Sequence, residues 1–336
     1  MYYLGIDVSK DSFATHLILD DGRSSRSASF KISKRGFNSL YAWLRKSGVV
    51  FDELKVVMEA TGVYWQRLFY FLNSKGVSVA VLNPAQIKDF IKSYLRRGKT
   101  DPMDARMIAL YALERGPESS FVPEEALVDL KLLVAERDHI VKLITKERNR
   151  LHAHNYRQSC PKALLRLINK RLRALKIQLA DIELLILSCI KSSEHLKRVY
   201  DLLISLPGVA FITAIVIIAQ SNALIGFVSA KQLAAYAGIA PAPNQSGSFK
   251  GYSRISKIGN PRLREALYMA ALSAVRASEH FANFKARLEA KHKPKKLIYT
   301  AVARKLLVTA WAVVKSDTAF DPEYYKKYSF VNSQAF

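Results

Sequence analysis

From residue 2 to about residue 120 the apolar residues switch between strand and helix spacing. "YYLGIDVS", "SFATHLILDDG" and "RSASFKI" carry short β-rich runs, the second ending in an Asp21–Gly22 turn, and predict an antiparallel meander. A helical pattern from Phe37 to Lys46 follows, then a buried strand "LKVVMEA", a helix "YWQRLFYFLNSKG" closed by Gly76, and a strand "VSVAVLN". A hairpin-led sheet continued by helix and strand units is the RNase H-like order, and it also opens actin-like sugar kinases.

The pattern becomes helical from about Glu124 to Leu203, with a break near "NYRQSCPK". Leu165, Ile168, Leu172, Leu175, Leu179, Ile182, Ile186 and Cys189 form an unbroken seven-residue repeat. The preceding stretch sets a seam of Leu127, Leu130, Val134, Val141, Ile144 and Leu151, interrupted by Arg137 and Arg148. Both an antiparallel helical hairpin or coiled-coil linker and the core helices of a bundle fit. Residues 204–315 are helical again except for "APAPNQSGSFKGYSRISKIGNPR", whose Gly, Ser, Pro and Asn content predicts a loop. The expected division is 1–122 as an α/β domain, 123–203 as a helical linker and assembly region, 204–316 as a mainly helical domain, and 317–336 as a partly disordered tail.

Composition adds a partner class. In 336 residues, 52 Lys and Arg face 28 Asp and Glu, a net charge of +24 that suits a polyanion such as nucleic acid. Residues 201–336 hold 18 of the bases and 7 of the acids. Within the predicted loop Lys250, Arg254, Lys257 and Arg262 are candidates for nucleic-acid backbone contact. Only Cys160 and Cys189 occur, without metal-ligand spacing, so no disulfide framework or zinc site is expected. The N-terminus lacks a leader pattern and the run "FITAIVIIA" is too short to cross a bilayer, so a cytoplasmic chain without membrane attachment is expected.

Against so basic a background, four acids require a reason. Asp7 interrupts an apolar strand, where a carboxylate is costly unless it is exposed, hydrogen-bonded or beside a cation. Glu59 ends the buried strand "LKVVMEA", and strand ends of open sheets are where sites are built. In "GKTDPMDAR" Asp101 is placed to cap a helix beginning at Pro102, and Asp104 falls three residues later on nearly the same face. Capping and helix-dipole complementarity account for the last two by themselves. Together the four could supply oxygen ligands to one or two Mg²⁺ ions, or to Mn²⁺.

"GIDVSK", "MEATGVYW" and "GKTDPMDAR", at these separations, resemble the N-terminal DEDD, RuvC-like domain of the insertion-sequence transposases of the family numbered one hundred and ten, which are also similar to the Piv-type DNA invertases. "LISLPGVAFITA" and the segment from "FVSAKQLAAYAG" through "NPRLREALYMAA" resemble that family's second transposase domain. The resemblance covers residues 3–315. It implies an RuvC-like fold for the first domain and a catalytic set of Asp7, Glu59, Asp101 and Asp104, with Ser246 of the Ser-Gly-Ser stretch as nucleophile. "SLPGVA" is similar to helix-hairpin-helix elements, with Ala210 standing where members of the family often carry glycine. Implied further are donor and target DNA, a bridge RNA that guides their choice, a phosphoserine intermediate, exchange through a Holliday junction, and a homo-oligomer, a dimer of dimers with shared active sites. The cellular place implied is the bacterial nucleoid.

Three rivals to this reading remain open on the sequence. A RuvC-like nuclease would use metal-activated water and leave Ser246 incidental. A sugar kinase would need a second glycine-rich phosphate loop, of which this chain with 14 Gly has no sign. A non-catalytic nucleic-acid binder fits the charge and leaves the acids unexplained.

Overall fold

The computed structural model describes residues 1–19, 21–94, 101–242, 245–246, 249–250 and 254–323. They fall into two compact units, Met1–Val122 and Pro123–Phe336. Unit 1 is built on a five-stranded sheet. Its strands are β1 (Tyr2–Val8), β2 (Ser12–Ile18), β3 (Ser25–Lys31), β4 (Leu54–Glu59) and β5 (Ser78–Leu82). They lie in the order β3-β2-β1-β4-β5. The meander is antiparallel, and β1, β4 and β5 run parallel.

Helices cover both faces of this sheet. On one, Leu4, Ile6, Val8, Val56 and Met58 pack with Phe37, Leu40 and Leu44 of α1 (Lys34–Lys46) and Leu68, Phe69 and Leu72 of α2 (Trp65–Ser74). Helix α1 begins three residues before the predicted start because the Ser33 hydroxyl caps it, accepting from the Gly36 amide at 3.1 Å. The other face carries α3 (Pro84–Ser93) and α4 (Asp101–Arg115), with Val57 and Ala80 packed against Ile87, Ile108 and Ala112. The sequence reading overlooked α3. Its signal is Asn83–Pro84, where the Asn83 side chain accepts from Ala85 N at 2.9 Å and proline takes a first-turn position.

Unit 2 opens with the long helices α5 (Glu125–Asn155) and α6 (Lys162–Ser192). Arg137 meets Glu183 at 2.8 Å and Glu147 meets Arg171 at 3.1 Å, so the helices pair antiparallel, as the hairpin alternative expects. Ile140 is buried on the seam, and the predicted Val141 only half-buried. Leu127, Leu130, Val134, Ile186 and Ile190 continue this seam into a core with α7 (Glu194–Ile204), α8 (Phe211–Gln220), α9 (Ala230–Tyr236), α10 (Pro261–Ala277), α11 (Glu279–Ala290) and α12 (Lys295–Ser316). Helix α8 is buried all round from Ala214 to Ala219, as suits a central helix. Helix α12 is long and apolar enough to cross a membrane by length and composition. It buries Ile298, Val302, Leu306, Leu307 and Ala310 within this unit.

The turn in "SLPGVA" is a close helix contact. Gly208 has φ +81°, and a Cβ there would stand 2.4 Å from the amide nitrogen of Ala274 in α10. Ala210, by contrast, is extended at φ −113° and ψ −178°, a conformation that needs no glycine.

The stretch read as a loop contains two short antiparallel ladders, a correction to the prediction. β6 (Pro241–Ala242) pairs with β9 (Arg254–Ile255), and β7 (Gln245–Ser246) pairs with β8 (Phe249–Lys250). Glycine, serine and proline dominate the composition, and strands of two residues are too short to show alternation.

Candidate active site

Register brings the first two carboxylates together. Ile6 pairs with Met58 in the parallel ladder, so the next step sets Asp7 beside Glu59 at the carboxyl-terminal edge. Alternate strand residues share a face, so Asp7 follows Gly5 and Glu59 follows Val57 on the side covered by α4. Both acids are half-buried. The Thr61 hydroxyl donates to Glu59 Oε1 at 3.3 Å.

Helix α4 runs opposite to these strands. A Cβ on Gly116, just past its end, would lie 3.9 Å from Lys55 Nζ near the start of β4. At the level of Gly5 the helix backbone is in contact with the sheet: an added Cβ would stand 2.2 Å from Ala105 O and 2.3 Å from Ala109 N. The first turn of α4 therefore lies at the same sheet edge as Asp7 and Glu59. Helix positions four apart form rows. Asp104, half-buried, precedes Ile108 and Ala112, the row over Val57 and hence toward Glu59. The side chain of Asp101 lies outside the described set. Among the described residues no three His, Cys, Asp or Glu side chains are gathered into a group that could hold a metal. In kind the four candidates are carboxylate oxygens, the donor type that hard divalent cations take.

In unit 2, Ser246 pairs with Phe249. Residues 247 and 248 between them lie outside the described residues, as does Ser253. Lys250 and Arg254 stand on β8 and β9, and Lys257 is exposed just beyond. Arg262 is committed elsewhere: its Nη2 donates to Asp138 Oδ1 of α5 at 2.7 Å and its Nε to the other carboxylate oxygen. That ion pair, with the Arg262 side chain 28% exposed, braces α10 against α5 through a residue also expected to contact phosphate.

The root of the hairpin is held by residues the sequence reading missed. Tyr236 OH donates to Gln220 O at 2.6 Å, and Asn260 Nδ2 to Gln220 Oε1 at 2.8 Å. Asn260 Oδ1 also caps α10 by accepting from Leu263 N at 3.0 Å, and Arg264 donates to Ala237 O at 3.1 Å. The Asn260–Pro261 start of α10 was legible as a helix cap; the partner Gln220, forty residues away, was not.

Two family models match this arrangement. A DEDD-type IS110 transposase model covers residues 4–155, and one described as the transposase IS116/IS110/IS902 family covers residues 200–286. The chain belongs to the IS110 family of transposases. It is 30% identical over 322 residues to the pilin gene-inverting protein of Moraxella bovis, spanning 95% of this chain and 97% of that protein. The pilin gene-inverting protein of Moraxella lacunata is 31% identical over 325 residues, with the same coverage. The transposase for insertion sequence element IS1111A of Coxiella burnetii is 26% identical over 305 residues, 81% of this chain and 78% of its own. The first matched range includes the positions of the four acids and the second that of Ser246.

Proposed function

We propose that this transposase cuts and exchanges DNA strands by serine attack, using an RuvC-like carboxylate edge in unit 1 and the Ser246 hairpin in unit 2. The observation that carries the reading is the alignment of Asp7 with Glu59, with the row that begins at Asp104 running toward that edge. An oxygen-only set of four carboxylates suits Mg²⁺ or Mn²⁺, which when bound would polarise a phosphate oxygen and offset charge during displacement. The Ser246 hydroxyl attacks phosphorus, forming an Oγ–P bond as one deoxyribose oxygen leaves with a proton. The phosphodiester energy is conserved in the phosphoserine and is available for resealing to a new strand. Lys250, Arg254 and Lys257 hold the DNA backbone beside the hairpin.

The fuller reading has donor and target DNA chosen by a bridge RNA and exchanged through a Holliday junction. Acids from one subunit and serine from another act within a dimer of dimers in the bacterial cytoplasm, associated with the nucleoid. The family membership, the net charge of +24 and the resemblance of the motifs support it. RNA co-purifying with the protein and carrying sequence from the element would bear it out.

Denaturing electrophoresis of a labelled substrate tests the chemistry. Wild type is expected to give a shifted protein–DNA band, Ser246→Ala none, and Ser248→Ala a band close to wild type. Asp104→Asn should lose cleavage while retaining DNA binding. Cleavage without any adduct, yielding free 5′-phosphates and 3′-hydroxyls, would assign the reaction to activated water. Neutralising Lys250, Arg254 and Lys257 together should flatten the salt dependence of binding, and an unchanged slope removes this hairpin from the contact surface.

A further inference from the structure

We propose that Lys305 and Arg287, converging on Phe284 where α11 packs against α12, hold a backbone phosphate of bound nucleic acid. The ammonium of Lys305 lies 4.7 Å from the centre of the Phe284 ring and the guanidinium carbon of Arg287 lies 5.6 Å from it. Two cations sharing one ring repel each other, and the ring's quadrupole offsets only part of that cost. No carboxylate among the described residues forms an ion pair with either; Glu289, the acid nearest in sequence to Arg287, is taken by Lys285 at 2.8 Å.

The surroundings report the same positive field. Burial, and then Arg287, push the Lys305 ammonium down to about 8. His280, one turn before Phe284 on α11, is pushed down to about 4 by burial, then by Lys305 and Arg287. It is therefore neutral at physiological pH and adds no third charge. Folding gains nothing evident from gathering Lys305 and Arg287, since a half-buried cation without a counterion is destabilising. A phosphodiester supplies the missing charge: one oxygen for the half-buried ammonium and another for the exposed guanidinium fork.

This site rests on the reading of the protein as a nucleic-acid recombinase and adds an anchor on a different face of sequence from the serine hairpin. DNA or RNA could present the phosphate, so both are needed as probes. Fluorescence anisotropy of a labelled mixed-sequence DNA duplex and a labelled RNA hairpin, titrated with full-length protein across a salt series, gives the slope of log affinity against log salt. Lys305→Met combined with Arg287→Met is expected to flatten that slope by roughly 0.7 to 0.9 for each lost contact with the nucleic acid that uses the site. Lys285→Gln, which removes one positive charge from α11 outside this cluster, should leave it unchanged. Thermal unfolding of Lys305→Met should be at or above the wild-type midpoint, and Lys305→Gln provides a second neutral variant if methionine disturbs packing. A flattened slope with only one probe assigns the phosphate to that nucleic acid. Unchanged slopes with both probes, in folded variants, overturn the site and leave the recombinase reading standing. Absence of nucleic-acid binding by the wild type would instead sink both.

Discussion

Gly5 sets the distance between the catalytic candidates. With no Cβ it lets α4 lie directly on β1, and the atoms an alanine would strike, Ala105 O and Ala109 N, belong to the helix backbone. Gly5→Ala is therefore expected to cost at least about 1 to 3 kcal/mol of stability, the range for overpacking, and to lift the first turn of α4 from the sheet edge. Urea denaturation measures the first effect and strand cleavage the second. Ala109→Gly should not rescue it, because it removes a side chain and leaves the backbone obstacle in place. Rescue would mean that the contact is softer than the structure indicates.

At the scale of elements, the α5–α6 hairpin tolerates an arginine on its apolar seam by pairing it. Arg137, with its side chain only 11% exposed, binds Glu183 across the hairpin, and Asp138 beside it binds Arg262 of α10. Removing Glu183 leaves the largely buried Arg137 with only the longer contact to Asp138 Oδ1 at 3.7 Å, whereas replacing both Arg137 and Glu183 removes the desolvation cost as well. Glu183→Leu alone is expected to lower stability by about 1 to 3 kcal/mol. The double replacement Arg137→Leu with Glu183→Leu should return the unfolding midpoint to the wild-type level or above. A double variant less stable than Glu183→Leu would show that the pair contributes net stability.

For the whole molecule, a charge of +24 makes stability and binding respond to conditions in opposite ways. Salt should screen self-repulsion and raise the unfolding midpoint while weakening nucleic-acid binding. The pH response follows from depressed bases, His280 and Lys305 most strongly, with His16 and Lys131 lowered by burial in the same direction. His280 falls from 6.5 to about 4 on folding, so between those values the unfolded chain binds the proton more readily, and stability is lost as pH falls from 6.5 toward 4. Lys305 falls from 10.5 to about 8, so stability rises as pH goes from 8 toward 10.5. His280→Phe is expected to flatten the acidic limb in a pH series of thermal melts. If that limb keeps its full slope, the acid sensitivity originates elsewhere.

Local pattern carried much of the fold. Periodicity placed the meander, the strands of Glu59 and Leu82, and the two long helices, because an apolar face repeating every two, 3.6 or seven residues is written in consecutive positions. Motifs likewise singled out Asp7, Glu59, Asp101 and Asp104 as residues to explain, and Ser246 entered only through the resemblance to the family. What the sequence left open are relations between distant segments. The parallel register beside Glu59, the bare backbone of Gly5 under α4, the pairing of Ser246 with Phe249 and the capture of Arg262 by Asp138 each depend on which surfaces meet. Arg262 resembles its basic neighbours in sequence and differs from them only because a carboxylate 124 residues away faces it. The same holds for Lys305, unremarkable in α12 until α11 brings Arg287 and Phe284 against it. Composition and periodicity determine the elements and the candidate chemistry; tertiary packing decides which charges are neutralised within the fold and which remain for a partner, because electrostatic pairing acts through space and not along the chain.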